Sequence, residues 1–370
     1  MSRQLFSPFQ IRSVKLRNRI VLSPMLTYAA KNGHANETHL AHYAKFAAGG
    51  AGLVFVESTK VRSEGRSTLH DLGLWSDEFI GPLSRIAALI KHLGATAGIQ
   101  LGHAGRKAFR PLPWEVSGDD RFSMATSTEA IERIAPSAIR HSPKLPLPCA
   151  MSAPDIADMI EAFGAAARRA NLAGFDVLEI HGGHGYLIHQ FLSPEANRRT
   201  DSYGGTLENR MRFAADVASS VRENWPAEKP LFFRVSAEDD AGWEITHSTE
   251  LAKVLKSRGV DVFDCSSGGM LATRSSRLSV GYGYQVRFSE AIRNEAHIPT
   301  MAVGLIVEGR QAEQILAAGQ ADLIALGREF LYNPHWPLHA ARALDEPSPY
   351  ALLPRNYEYW LDKRAQDIQP

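Results

Sequence analysis

Cysteine is nearly absent. The 370-residue chain holds only Cys149 and Cys265, too few for a disulfide scaffold or a cysteine-ligated iron–sulfur cluster. An excess of charge of one sign is lacking too: 41 Lys and Arg stand against 40 Asp and Glu, a formal net charge of +1. No broad electrostatic footprint for nucleic acid or a membrane surface follows from such a balance. Long apolar runs are also missing. No segment approaches the roughly eighteen apolar residues of a membrane span, and Arg3, Arg12, Lys15, Arg17 and Arg19 interrupt the N-terminal stretch where a signal peptide would need a continuous apolar core. These absences lead us to expect a soluble, cytoplasmic protein, with no nucleic-acid or membrane partner, that acts on small molecules at a defined site.

What is present is a repeating pattern. Short apolar, β-rich runs fall at residues 19–22, 53–57, 97–101, 177–181, 231–235, 262–265, 300–303 and 323–326, with amphipathic stretches between them. Most are apolar throughout, which is how parallel strands buried on both faces read. Residues 152–173 form a helix opened by Ser152-Ala153-Pro154-Asp155 and closed before Gly174. Eight such strand–helix units predict an α/β fold, a TIM (β/α)8 barrel, as one domain over residues 1–370. An open doubly wound sheet uses the same units, but its glycine fingerprint after the first strand is replaced here by Ser23-Pro24-Met25. Two regions depart from the repeat: residues 106–151, rich in Pro and Ser, are expected to form a flap over the barrel mouth after the third strand. The tail at 347–370 carries Tyr350, Tyr357, Tyr359 and Trp360, which either pack on the parent barrel or dock on a neighbouring subunit.

In this fold the chemistry sits at the C-terminal ends of the strands. There the sequence offers Ser23 to Tyr28 after the first strand, Gln100 to Lys107 after the third, and His181-Gly182-Gly183-His184-Gly185-Tyr186 after the fourth. Arg234, inside the fifth strand, requires an anionic or strongly accepting partner once buried. Gly304 ends the seventh strand, Gly327-Arg328 the eighth, and Ser267-Gly268 follow the sixth, a convergence suited to phosphate bound by backbone N–H groups. His181 and His184 are open to three readings: metal ligands, which would lack a third ligand at a recognisable spacing; histidines satisfied by backbone; or neutral donors to one substrate oxygen. Tyr186 beside them is a plausible proton source.

Four spaced motifs in order resemble the old yellow enzymes: Leu5 to Met25, with Asn18-Arg19-Ile20-Val21-Leu22-Ser23-Pro24-Met25; Gly98 to Lys107; His181 to Tyr186 followed by Phe191-Leu192-Ser193-Pro194; and Arg199 to Arg210. The likeness runs from about Leu5 to the tail and is similar to the branch containing xenobiotic reductase A and the thermophilic-like ene-reductases. It implies non-covalent FMN, reduced by NADPH or NADH and reoxidised by an alkene activated by a carbonyl or nitro group. Carried over by position, Gln100 and Arg234 would meet the flavin's pyrimidine edge. Ser23, Pro24, Met25, Leu26 and Ser58 would lie at its ring, and Ser267, Gly268, Gly304, Gly327 and Arg328 near its phosphate. His181, His184 and Tyr28 would bind substrate, and Tyr186 would deliver the proton. Leu26 departs from the cysteine usual in that branch. The resemblance also implies a homo-oligomer, dimer or tetramer. Reductases of CoA thioesters and amine dehydrogenases on the same barrel are alternatives, though the larger ones need a cysteine cluster lacking here, and a flavin-free sugar-phosphate barrel is the rival of another class.

Overall fold

A computed structural model describes residues 3–116, 132–272 and 280–368. Eight strands, β1 (Ile20–Leu22), β2 (Leu53–Lys60), β3 (Thr96–Gly102), β4 (Val177–Gly182), β5 (Leu231–Ser236), β6 (Val262–Ser266), β7 (Thr300–Ala302) and β8 (Leu323–Leu326), close into a barrel in the order β6-β7-β8-β1-β2-β3-β4-β5. Every pairing in it is parallel. The connecting helices are α1 (Glu37–Ala48), α2 (Ile80–His92), α3 (Ala153–Leu172), α4 (Leu207–Asn224), α5 (Ile245–Ser257), α6 (Val286–Ala296), α7 (Gly309–Ala317) and α8 (Trp336–Ala343). All eight strands and the barrel are those expected from the sequence. Helix α3 begins where expected: Ser152 caps it, with its Oγ accepting from Asp155 N–H while the Asp155 carboxylate accepts from Ser152 N–H at 2.7 Å, a reciprocal capping box.

Along a strand, residues i and i+2 share a face. That alternation builds the barrel interior in layers. The lower layer is apolar: Val21, Leu53, Phe55, Val177, Phe232, Val262, Met301, Leu323 and Ala325 pack together. An antiparallel hairpin, Phe9–Ile11 with Val14–Leu16, caps the barrel's lower end through buried Ile11 and Leu16. Above that layer the interior turns polar on five of the strands, with Ser23, Gln100, Glu179, Arg234 and Asp264 all buried, and His181 and Ser266 lie above them. Strand β2 runs past its expected end because its register against β3 slips between Val56 and Ser58, a bulge that leaves Glu57 unpaired and turned toward Tyr43 of α1.

Within the 106–151 insertion, Ile134–Ala135 pairs with Cys149–Ala150, and Trp114 sets the edge of its ring against Tyr28 with centroids 5.4 Å apart. Residues 117–131 of that segment lie outside the described residues. In the tail, Tyr350 and Leu353 pack on Leu338 of α8, but the last helix, α9 (Arg355–Asp367), buries none of its residues completely, and Tyr357, Tyr359 and Trp360 are exposed. No helix among the described residues is long and apolar enough to cross a membrane.

Candidate active site

The mouth is assembled from the loops that follow the strands. After β1, Ser23 to Tyr28 crosses the barrel rim, and Tyr28 adopts the left-handed conformation at φ 56°, uncommon for a residue with a side chain. Glu57 holds this loop from behind, accepting from Thr27 N–H at 3.0 Å, Thr27 Oγ1 at 2.6 Å and Tyr43 Oη at 3.2 Å. Burial pushes the Glu57 carboxyl up to about 7. The unfolded chain loses that proton near 4.5 while the folded chain keeps it to about 7, so this residue lowers stability as pH rises through that window. The difference amounts to roughly 3 kcal/mol. Glu57→Gln, which does not titrate, is expected to flatten the pH dependence by about that much, read from guanidinium unfolding at the two ends of the window at one saturating FMN concentration; an unchanged slope would show that Glu57 is ionised throughout.

After β4, the turn His181 to Tyr186 packs so closely on the loop after β6 that a Cβ on Gly185 would stand 2.1 Å from Gly269 O. The contact fixes both imidazoles. His181 is buried and His184 half-buried, with His184 Nδ1 3.4 Å from His181 Nε2 and His184 Nε2 2.7 Å from Ser266 Oγ. Burial first, then His184 and Arg234 for His181 and Arg234 and Lys107 for His184, holds both well below the usual histidine value, so both are neutral. Among the described residues no third His, Cys, Asp or Glu gathers with them, and the His181 Nδ1 atom has no partner. Tyr186 stands beside His181 with ring centroids 5.2 Å apart. Two ammonium groups flank its ring, Lys107 at 5.1 Å and Lys60 at 5.5 Å. Lys60 is itself buried between Ser58 Oγ at 3.0 Å and Asp71 at 3.4 Å. Tyr28, across the mouth, is pushed up to about 12 by burial and by the neighbouring Tyr186, and remains a phenol.

At the other side of the mouth a cavity of about 220 Å³ opens between the ends of β6, β7 and β8, lined by Arg234, Ser266, Gln285, Gly304, Gly327 and Arg328 among others. It is shaped by the absence of side chains. Gly304 sits at φ 115°, where a Cβ would meet Gln285 Nε2 at 2.7 Å, and at Gly327 one would meet Met25 Sδ at 3.3 Å. Arg328 lines the cavity without an ion pair to any described residue. A guanidinium facing a glycine-walled cradle fits one terminal phosphate. Ser267 and Gly268, expected here, are engaged elsewhere: Ser267 Oγ donates to Gln285 Oε1 at 2.6 Å and Gly268 N–H to Glu238 O at 2.8 Å. Gln285, at the start of α6, was not legible as a site residue; it joins Ser267, Val303 O and the cavity, and nothing in its sequence context marks it. Ser58 Oγ accepts from Lys60 Nζ at 3.0 Å, and Leu26 follows Met25 in the loop after β1.

A closed parallel barrel with a phosphate-sized cavity opening beside two neutral imidazoles and a phenol is the architecture of a nucleotide-cofactor enzyme rather than of a binding module. Residues 4–346 match the NADH:flavin oxidoreductase / NADH oxidase family, and the chain belongs to it. It is 47% identical over 348 residues to an NADPH dehydrogenase of Geobacillus sp. (strain WCH70), covering 93% of this chain and 95% of that one. With an NADPH dehydrogenase of Bacillus subtilis (strain 168) the identity is 44% over 362 residues, 97% and 99% of the two chains. The fold is similar to that of the old yellow enzyme homologue from Zymomonas mobilis, with a TM-score of 0.75, 25% identity and 93% of each chain covered. The protein is thus an FMN-dependent oxidoreductase that draws on NADPH or NADH, and the flavin-free sugar-phosphate reading is set aside. The family match ends at residue 346, where the aromatic tail begins.

Proposed function

We propose that the protein reduces the carbon–carbon double bond of α,β-unsaturated carbonyl and nitro compounds. The observation that carries this reading is the adjacency of two neutral imidazoles to one phenol: His181 and His184 sit 3.4 Å apart at their facing nitrogens, with the Tyr186 ring against His181. Ser23, Gln100 and Arg234 would hold the pyrimidine side of FMN, Pro24, Met25, Leu26 and Ser58 its ring, and Gly304, Gly327 and Arg328 its phosphate. Bound FMN supplies the hydride. Neutral imidazoles donate to a substrate oxygen as negative charge develops on it, which stabilises the transition state more than the ground state. The Tyr186 hydroxyl, held by its ring contacts, gives the proton to the other carbon, while Tyr28 and Trp114 bound the side of the mouth by which substrate arrives.

The purified protein is expected to be yellow and to release FMN on denaturation. Reduced anaerobically with NADPH, it is expected to be reoxidised by cyclohexenone and by nitroalkenes. The same mixing with a CoA thioester tests the alternative chemistry. Reoxidation by oxygen alone, with no alkene consumed, would overturn the proposal while leaving the flavin assignment intact.

A further inference from the structure

The polar layer beneath the mouth contains an acid that the chemistry above does not use. Glu179 on β4 and Asp264 on β6 are both completely buried, on either side of Arg234 on β5. Asp264 Oδ2 accepts from Arg234 Nη1 at 2.5 Å, and the same nitrogen lies 2.7 Å from Ser23 Oγ. Glu179 Oε1 accepts from Gln100 Nε2 at 2.7 Å. The two oxygens left over, Glu179 Oε2 and Asp264 Oδ1, are buried with no partner among the described residues, and the two acids lie close enough to perturb one another. A carboxylate has no proton to give, so one of these acids can satisfy the other's unpartnered oxygen only if one of them is protonated. Among the described residues one guanidinium, that of Arg234, is paired with these acids and can balance one negative charge. His181, next along β4, is neutral, and the Cys265 thiol beside Asp264 is held protonated by burial. A second buried negative charge would have nothing to compensate it. Burial raises both carboxyls, Glu179 well above its usual range and Asp264 less, because Arg234 favours the charged form of Asp264. The proton therefore belongs on Glu179.

We propose that Glu179 is a permanently protonated carboxylic acid, bonded to Asp264, and that it is a positioning residue for the cofactor. Its carbonyl oxygen takes the Gln100 amide nitrogen, so that the amide oxygen is left as the acceptor on the opposite side. Its hydroxyl satisfies Asp264, leaving the Arg234, Asp264 and Glu179 group without net charge. An imide N–H, such as the pyrimidine ring of a flavin presents, needs an acceptor opposite it, and a glutamine free to flip would offer a donor there half of the time. The cofactor role rests on the function proposed above; the shared proton does not.

Glutamine at position 179 reproduces both bonds of the acid, an N–H to Asp264 and a carbonyl to Gln100, without a titratable proton. The infrared difference spectrum of the purified chain at neutral pH, wild type minus Glu179→Gln, is therefore expected to show a protonated carboxyl C=O stretch that shifts in D2O. An ionised-carboxylate difference in its place would overturn the assignment. For the purified, flavin-loaded chain, Glu179→Gln is expected to hold FMN within about threefold of wild type, whereas Glu179→Leu, which frees the Gln100 amide, is expected to hold it about tenfold or more weakly. If Glu179→Leu is poorly folded, the Gln variant alone decides: a loss of about tenfold or more in FMN affinity in Glu179→Gln would refute the positioning role. Where both fold, adding Glu179→Leu to Gln100→Ala is expected to cause no further loss, because Glu179 acts through that amide; full additivity would also refute it. A wild-type chain that binds no FMN would instead refute the cofactor geometry proposed above, and the infrared band would still be present.

Discussion

The Tyr186→Phe variant is expected to reduce an enone about 10²–10⁴-fold more slowly than wild type, while its own reduction by NADPH changes little. The substitution removes one oxygen and retains the ring, so the contact with His181 at 5.2 Å and the flanking Lys107 and Lys60 ammonium groups at 5.1 and 5.5 Å persist. Taking electrons from a nicotinamide calls on no proton from this side chain. Reducing an enone does, because the carbon left electron-rich beside the carbonyl is a strong base that needs an acid already in place. Nitroalkenes form a stabilised anion that can wait for solvent, and their hydride step is expected to suffer much less. Stopped-flow measurement of the two half-reactions with both substrate types separates the roles. An equal loss in both half-reactions would show that Tyr186 only shapes the pocket.

Arg234→Ala is expected to have the largest effect on the folded protein itself. The substitution strands the completely buried Asp264, which loses the one cation paired with it among the described residues. Breaking a buried ion pair from one side costs about 3–5 kcal/mol. The same guanidinium lines the phosphate-sized cavity and bonds Ser23, so the variant is expected to purify without flavin. Part of the lost stability should return as the pH falls, because an uncompensated Asp264 can take up a proton. Arg234→Ala combined with Asp264→Ala removes both charges and is expected to recover stability without recovering FMN. Thermal unfolding and the flavin-to-protein ratio read the two effects separately. A flavin-loaded, stable Arg234→Ala protein would show that neither the pair nor the cofactor depends on this residue.

The sequence made the eight strands legible because each is a short apolar run, and it made His181, His184, Tyr186 and Arg234 legible because each is a polar residue at the upper end of one. Glu179 and Asp264 escaped that reading. Each is a single acid inside a run otherwise taken as apolar throughout, although the i, i+2 alternation from Val177 to Glu179 to His181 already places it on the inner face. Glu57 was hidden for a different reason: a bulge reverses which way a side chain points, and nothing in Val56-Glu57-Ser58 announces one. Ser267 and Gly268 read from sequence as small residues near a phosphate cradle, and the structure shows the Ser267 hydroxyl bonded to Gln285 and the Gly268 N–H to Glu238. Gln285 reaches the cavity from a helix start 18 residues beyond Ser267, a distance that no local pattern bridges.

The hairpin that closes the lower end of the barrel also governs traffic. With Ile11 and Leu16 packed against the apolar layer, the described residues leave no passage through the lower end of the barrel, so whatever reaches the imidazoles is expected to arrive and depart by the upper mouth. An electron donor and an electron acceptor that use the same mouth are expected to take turns in it. Crowding the solution with either one is then expected to keep the other waiting, and turnover should fall, not merely level off, at high concentrations of the better-fitting partner.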